Sequence, residues 1–199
     1  ESFSNDKLSE LVTNKTELSE DFSETINRSF LGTGYVLSFK PDEKCEKPLY
    51  IQRIYTQKDR FYNETYFYNL PAFSHIEILE EITSVHKSFI NISNHSHTGK
   101  NAFLSKNTVQ NTDLESLVLY QDNGQILKDA RYLGTVFTLG AKKSRTFLNI
   151  ELLGENSQAD LHGLYALNNE QHHDTYSKIH HKTAHTDSRQ VYKGIMNDN

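Results

Sequence analysis

From Phe30 to the end of the chain, apolar residues recur at every second position in short runs, and long helical periods are absent. A period of two is the pattern of a half-buried β-strand. Tyr35, Leu37 and Phe39 form the first run, broken by Pro41-Asp42. Further strands are expected at 49–55, 61–70, 75–82, 89–94, 117–120, 136–139, 145–153, 159–166, 175–181 and 189–195. β-Branched and aromatic residues, which suit a pleated surface, dominate most of them. Strand starts roughly 10 to 18 residues apart permit a sandwich, a barrel or a β-solenoid. Sandwiches and up-and-down barrels join strands with tight Asn-Gly or Asp-Gly hairpins, and here only Asn123-Gly124 qualifies. That scarcity tilts the expectation toward a solenoid. Alternation such as Ala159-Asp160-Leu161-His162-Gly163-Leu164-Tyr165 fits stacked coils, with one side chain buried against neighbouring coils and the next one wet.

The first 29 residues read differently. Leu8, Leu11 and Val12 recur at helical spacing, Ser4 or Asn5 could cap, and acids dominate from Glu17 to Glu24. The expected division is therefore an N-terminal helix and acidic connector over 1–29 and a β core over 30–199. Apolar residues make up 36% of the chain, modest for a compact globule, which favours an elongated or layered architecture with much wet surface. No run approaches the ~18 apolar residues of a membrane span, so no membrane is expected. A formal charge of -5 supplies no field for a phosphate backbone, and Lys142, Lys143 and Arg145 read as a solvated turn, so no nucleic-acid partner is expected.

The single cysteine, Cys45, excludes an intramolecular disulfide and points to a reducing compartment, with a cytoplasmic location expected. Five Asn-x-Ser/Thr triplets, at Asn14, Asn27, Asn63, Asn91 and Asn94, read as chance products of an Asn-, Ser- and Thr-rich chain. No Gly-x-Ser-x-Gly elbow is present, and Gly32-Thr33-Gly34 lacks the Gly, Lys and helix of a phosphate loop, so it reads as a turn into the first strand. Glu80-Glu81, or Asp160 with Asp174, could be nominated as the paired carboxylates of a β-helical carbohydrate-active enzyme. Ten histidines are the compositional anomaly, and His162, His172, His173, His180, His181 and His185 fall within 24 residues. Imidazole and carboxylate suit zinc or iron, and His172, Asp174, His180 and His185 are the candidate ligands. The competing reading is a set of surface or ladder histidines.

One resemblance goes beyond composition. It runs from Leu152-Leu153-Gly154-Glu155-Asn156 through Leu161-His162-Gly163-Leu164-Tyr165 and Gln171-His172-His173-Asp174. It continues to Ile179-His180-His181, His185-Thr186-Asp187-Ser188 and Tyr192-Lys193-Gly194-Ile195, with a weaker match at Phe30 to Leu49 through Lys47-Pro48. In the order of these motifs it resembles the core of the SufB/SufD family, on the SufD side. The resemblance implies an all-β, right-handed parallel β-helix without catalysis of its own. It would be a scaffold subunit of iron-sulfur cluster assembly whose partners are SufB-like proteins and the SufC-like ATPase. No catalytic or cofactor residue carries over. The fragment is expected to hold no cofactor stably, with the iron-sulfur cluster handled transiently by the full complex. The sequence stops just after Lys193-Gly194-Ile195, ahead of the family's remaining coils and C-terminal helices, so self-association through the exposed end of the β-helix is a further expectation.

Overall fold

The computed structural model describes residues 22–30 and 32–197. Among these described residues there are one helix, α1 (Phe22–Ser29), and twelve strands. The strands are β1 (Thr33–Ser38), β2 (Leu49–Tyr55), β3 (Arg60–Leu70), β4 (His75–Ser84), β5 (Ser88–Thr98), β6 (Phe103–Thr112), β7 (Leu117–Ile126), β8 (Arg131–Gly140), β9 (Lys143–Leu152), β10 (Gln158–Asn168), β11 (His172–His181) and β12 (Asp187–Asn197). Odd-numbered strands form one six-stranded sheet in the order β1-β3-β5-β7-β9-β11, and even-numbered strands form a second in the order β12-β10-β8-β6-β4-β2. We call these the odd and even sheets. Every pairing is parallel: Thr33 sits beside Glu64, 31 residues on, and Leu117 beside Lys143, 26 residues on. The expected β-solenoid is the observed fold.

Period-two alternation now has a physical address. Ile76, Ile78 and Ile82 of β4, Ile90 and Ile92 of β5, Leu104 of β6, Ile126 of β7 and Leu148, Ile150 and Leu152 of β9 turn into the lumen and form one continuous core. Burying each such side chain is worth about 1.5–3 kcal/mol, so the stacked aliphatic columns dominate the stability of the coils.

Corners follow a second period. Asp42, Phe73, Asn101, Asp129, Asn156 and His185 all have positive φ, and each occupies the bend that leads from an odd strand to the next even strand. Asn and Asp tolerate this left-handed conformation better than most residues, which accounts for four of the six. Neighbouring corners are tied together: Asn101 N–H donates to Lys128 O at 3.0 Å, Asp129 N–H to Glu155 O at 2.9 Å, and Asn156 Nδ2 to Asp129 Oδ1 at 3.0 Å.

Three expectations change. Phe103–Thr112 is a strand that the apolar pattern missed, because its inward residues after Leu104 are Lys106, Thr108, Gln110 and Thr112. Asn123-Gly124 is not a hairpin but lies inside β7, where a Cβ on Gly124 would come within 2.9 Å of Ile150 Cδ1. The helix observed, α1, occupies the end of the stretch read as an acidic connector, while Leu8, Leu11 and Val12 lie outside the described residues. Gly32 does precede the first strand as expected, packed so closely that a Cβ would fall 1.9 Å from Asn63 O.

Eight residues are too few for a self-sufficient helix, so α1 depends on the outer face of the odd sheet. Asn27 Nδ2 donates to Glu64 O at 3.0 Å, and Thr65 Oγ1 donates to Asn27 Oδ1 at 2.7 Å. Asn91 Nδ2 donates to Asn63 Oδ1 at 2.9 Å and to Ser23 O at 3.3 Å. Asn27, Asn63 and Asn91 are thereby buried, and Asn94 is buried on the lumenal side, so in the folded chain none of these four sequon asparagines presents its amide for modification.

Candidate functional site

Inside the lumen, the aliphatic core gives way to charge. Arg53 (β2), Glu80 (β4), Lys106 (β6) and Asp122 (β7) meet there, all at most 5% exposed. The first three come from successive strands of the even sheet, and Asp122 reaches across from the odd sheet. Arg53 Nη2 pairs with Glu80 Oε1, and Lys106 Nζ stands 3.0 Å from Asp122 Oδ2 and 3.9 Å from Glu80 Oε2. The two cations and two anions sum to zero, the condition under which four charges can leave water together.

Hydroxyls and amides complete the cluster. Thr108 Oγ1 and Tyr120 OH donate to Glu80 Oε2 at 3.0 and 3.1 Å, and Tyr132 OH donates to Asp122 Oδ2 at 2.9 Å. Arg53 Nη2 donates to Asn94 Oδ1 at 3.2 Å and to Tyr68 OH at 3.3 Å, while its guanidinium carbon lies 3.6 Å from the centre of the Tyr66 ring. Lys106 Nζ stands 5.0 Å from the Tyr68 ring centre and 5.4 Å from that of Tyr120, within cation–π range of both. Next to this cluster, Tyr55 and Tyr66 both donate to Glu64 Oε2, at 2.9 and 3.0 Å.

Burial pushes the Glu80 carboxyl up, but Arg53 and Lys106 beside it outweigh burial and hold it below the usual carboxylate range. Burial also tends to discharge Arg53, and the Glu80 carboxylate together with Tyr68, Tyr66 and Tyr55 outweighs that and keeps the guanidinium charged. Tyr68, Tyr120 and Tyr132 are all raised well above the ordinary phenol value, first by burial and then by the carboxylates beside them.

These directions fix a pH response. A lowered Glu80 contributes stability that is complete above about pH 4–5 and lost as pH falls through its folded value. Raised tyrosines contribute stability that is complete below about pH 10 and lost as pH rises. In an alkaline titration, tyrosinate absorbance from the lumenal tyrosines is therefore expected to rise together with the loss of β circular dichroism. Free titration of all eleven tyrosines near pH 10, before any unfolding, would contradict the buried cluster.

The histidines do not meet. His172, Asp174 and His180 share the outer face of β11, aligned with Lys143, Arg145 and Glu151 of β9. At ~3.3 Å per residue, His180 is about 26 Å along the strand from His172. Asp174 is ion-paired with Arg145, and His185 is the left-handed corner after β11. The expected convergence of His172, Asp174, His180 and His185 does not form, because a strand separates what a short sequence interval suggests is close. Among the described residues no three His, Cys, Asp or Glu side chains are placed to hold a metal ion. The other histidines serve locally. His173 Nε2–H donates to Gly140 O at 2.9 Å, and burial pulls its pKa down, consistent with a neutral ring. The His181 ring contacts Thr186 Oγ1 at 2.6 Å and Ser188 Oγ at 3.1 Å.

The nominated carboxylate pairs also part. Glu80 points into the lumen and Glu81 out to Tyr50 and Gln52. Asp160 lies on the outer face of the even sheet, 2.6 Å from Arg131, whereas Asp174 lies on the odd sheet. Lys142, near Glu115 at 3.2 Å, and Arg145 are engaged in ion pairs at the start of β9. Sequence reasoning missed the lumenal quartet because a charged residue in an alternating strand reads as outward. The signal that could have found it is parity: Lys106 stands in step with Leu104, and Glu80 in step with Ile78 and Ile82.

The outer face of the even sheet is different in kind. Tyr50, Ile54, Leu79, Phe137, Val191 and Ile195 are exposed on it. No described helix is long and apolar enough to cross a membrane. Compared with known proteins, residues 53–199, nearly three quarters of the chain, match the family model described as SUF system FeS cluster assembly, SufBD core domain. No curated protein matches the chain.

Proposed function

Because the chain belongs to the SufB/SufD core-domain family of iron-sulfur cluster assembly, we propose that it is a SufD-like scaffold subunit that pairs with a SufB-like protein and engages the SufC-like ATPase. The observation that carries this reading is the family match across the coils from β2 to β12, joined to a solenoid that offers two broad sheet faces. Exposed Phe137 and Ile195, bridged on the outer face of the even sheet by half-buried Leu164 and Ala166 of β10, support docking of proteins, since contiguous apolar side chains on a surface mark interaction sites. In this reading the chain performs no catalysis itself, acts in the cytoplasm, and holds no cofactor. The iron-sulfur cluster is cargo of the assembled complex. Separation of Glu80 from Glu81, and of Asp160 from Asp174, leaves the carbohydrate-active alternative without the carboxylate pairs nominated for it.

The test is co-purification. The tagged full-length protein containing this sequence, expressed with SufB-like and SufC-like proteins of the same source, is expected to retain both through size exclusion and to support cluster transfer to an apo-ferredoxin. Retention of neither partner would overturn the scaffold reading.

A further inference from the structure

The helix α1 sits on the odd sheet with its polar side inward. It touches β3, β5 and β7, and the residues it buries there are Ser23, Glu24 and Asn27, held by Asn63, Thr65 and Asn91. A surface helix ordinarily turns its apolar stripe to the sheet. Here Phe22 and Phe30 are each 61% exposed, and with half-buried Ile26 between them they recur every four residues along one flank of the helix. Phe30 shows where that flank points, because its ring meets Phe61 edge-on at 5.9 Å between centres.

Phe61 begins a row that the helix leaves uncovered. Phe61, Phe89 and Leu117 stand in register on β3, β5 and β7, with the two rings 4.8 Å apart and Phe61 and Leu117 38% and 40% exposed. On the far side of the row, the loops that precede β5 and β7 carry Val85 and Leu114, both exposed. Asp113 N–H donates to Ser84 Oγ at 2.9 Å, so these two loops form one rim. A trough therefore crosses the strands, with the apolar flank of α1 as one wall, the Phe61 row as its floor and Val85 and Leu114 as the other wall. Three strand spacings from Phe61 lead to Lys143 of β9, in register with Leu117, about 14 Å away and close to the length of a helix of ~10 residues. A contiguous apolar surface of this kind marks an interaction site.

Charge at the rim is one-sided. Asp59 stands 3.8 Å from Lys87, Glu115 stands 3.2 Å from Lys142, and Asp113 accepts the Glu115 N–H within its own loop. Exposed Lys58 and Arg60 at the Phe61 end, and exposed Lys143 at the Leu117 end, have no ion-pair partner among the described residues. Uncompensated charge at both ends is thus positive. The backbones of β3, β5 and β7 are paired on both sides, so no extended peptide can add a strand here.

We propose that this trough docks an acidic, amphipathic α-helix of a partner protein. Its apolar side chains, one turn apart, rest on Phe61, Phe89 and Leu117, and its carboxylates meet Arg60 and Lys143 at the two ends. A helical turn advances ~5.4 Å against ~4.8 Å between strands, so successive turns meet successive coils, as α1 does alongside. This surface belongs to the odd sheet, away from the apolar face of the even sheet, and does not depend on the family reading.

The test uses the full-length protein and two synthetic helical peptides of ~14 residues, each with leucine one turn apart on one face and either glutamate or lysine on the other. The glutamate peptide is expected to bind about tenfold tighter than the lysine peptide. Leu117→Glu is expected to weaken the glutamate peptide about tenfold, and Lys143→Glu to weaken it several-fold while strengthening the lysine peptide. Ile54→Glu, on the even sheet, is expected to change neither, and unchanged β circular dichroism shows that each variant is folded. No binding of the glutamate peptide, equal binding of the two peptides, or binding insensitive to Leu117→Glu would overturn the proposal. Co-sedimentation with phosphatidylglycerol vesicles in place of peptide binding would overturn it in favour of an anionic membrane surface. Dimerisation that Leu117→Glu abolishes would overturn it in favour of a second copy of this chain.

Discussion

Replacing Glu80 with alanine is expected to cost about 3–5 kcal/mol, measured as a lower urea midpoint at unchanged slope. The loss comes less from the bonds removed than from what they leave behind. Arg53 would keep a fully desolvated guanidinium without its carboxylate, Lys106 would face Asp122 alone, and the Thr108 and Tyr120 hydroxyls would lose their acceptor. Restoring neutrality separates these causes. Glu80→Leu with Arg53→Met removes one cation with one anion and is expected to recover much of the loss, since well-packed apolar residues can replace a buried ion pair at little cost. If Glu80→Ala alone loses less than about 1 kcal/mol, the cluster is hydrated in solution and the argument from desolvation fails.

Gly140→Ala carries the other large effect. Gly140 has φ of 68°, and a Cβ there would stand 2.0 Å from the Thr112 carbonyl oxygen. The left-handed conformation costs a non-glycine residue about 1–2 kcal/mol, and forcing backbone apart adds ~1–3 kcal/mol, so a total of roughly 2–5 kcal/mol is expected. Damage should spread to the next coil, because Gly140 O accepts from Gln171 Nε2 at 2.7 Å and from His173 Nε2. Gly124→Ala is the contrast: its Cβ would press on the end of the Ile150 side chain, which can give way. A Gly140→Ala variant no less stable than Gly124→Ala would refute the corner strain.

Much of the fold was legible because alternation is local. Ala159 and Leu161 declare a strand and its buried side without reference to distant residues. The corner residues were also legible in principle, as Asp42, Asn101, Asp129 and Asn156 recur at close to the coil length, although only the structure drew notice to them. β6 was hidden because its inward Lys106, Thr108 and Gln110 are stable there only through partners in other coils: Asp122, Glu80, and Ser144, whose Oγ donates to Gln110 Oε1 at 3.1 Å. Asn123-Gly124 misled because its dipeptide preference for a turn is weaker than two parallel neighbours pairing along the whole of β7.

By itself, then, the sequence determined the β periodicity and pointed toward a solenoid and toward the family, since each is written in residues close together along the chain. Tertiary structure decided which polar residues matter. It gathered Arg53, Glu80, Lys106 and Asp122 across the lumen and spread His172, Asp174, His180 and His185 along a strand and a corner. The reason is geometric: in a parallel solenoid a residue's nearest neighbours lie one coil away in the chain, so proximity in sequence and proximity in space are nearly independent.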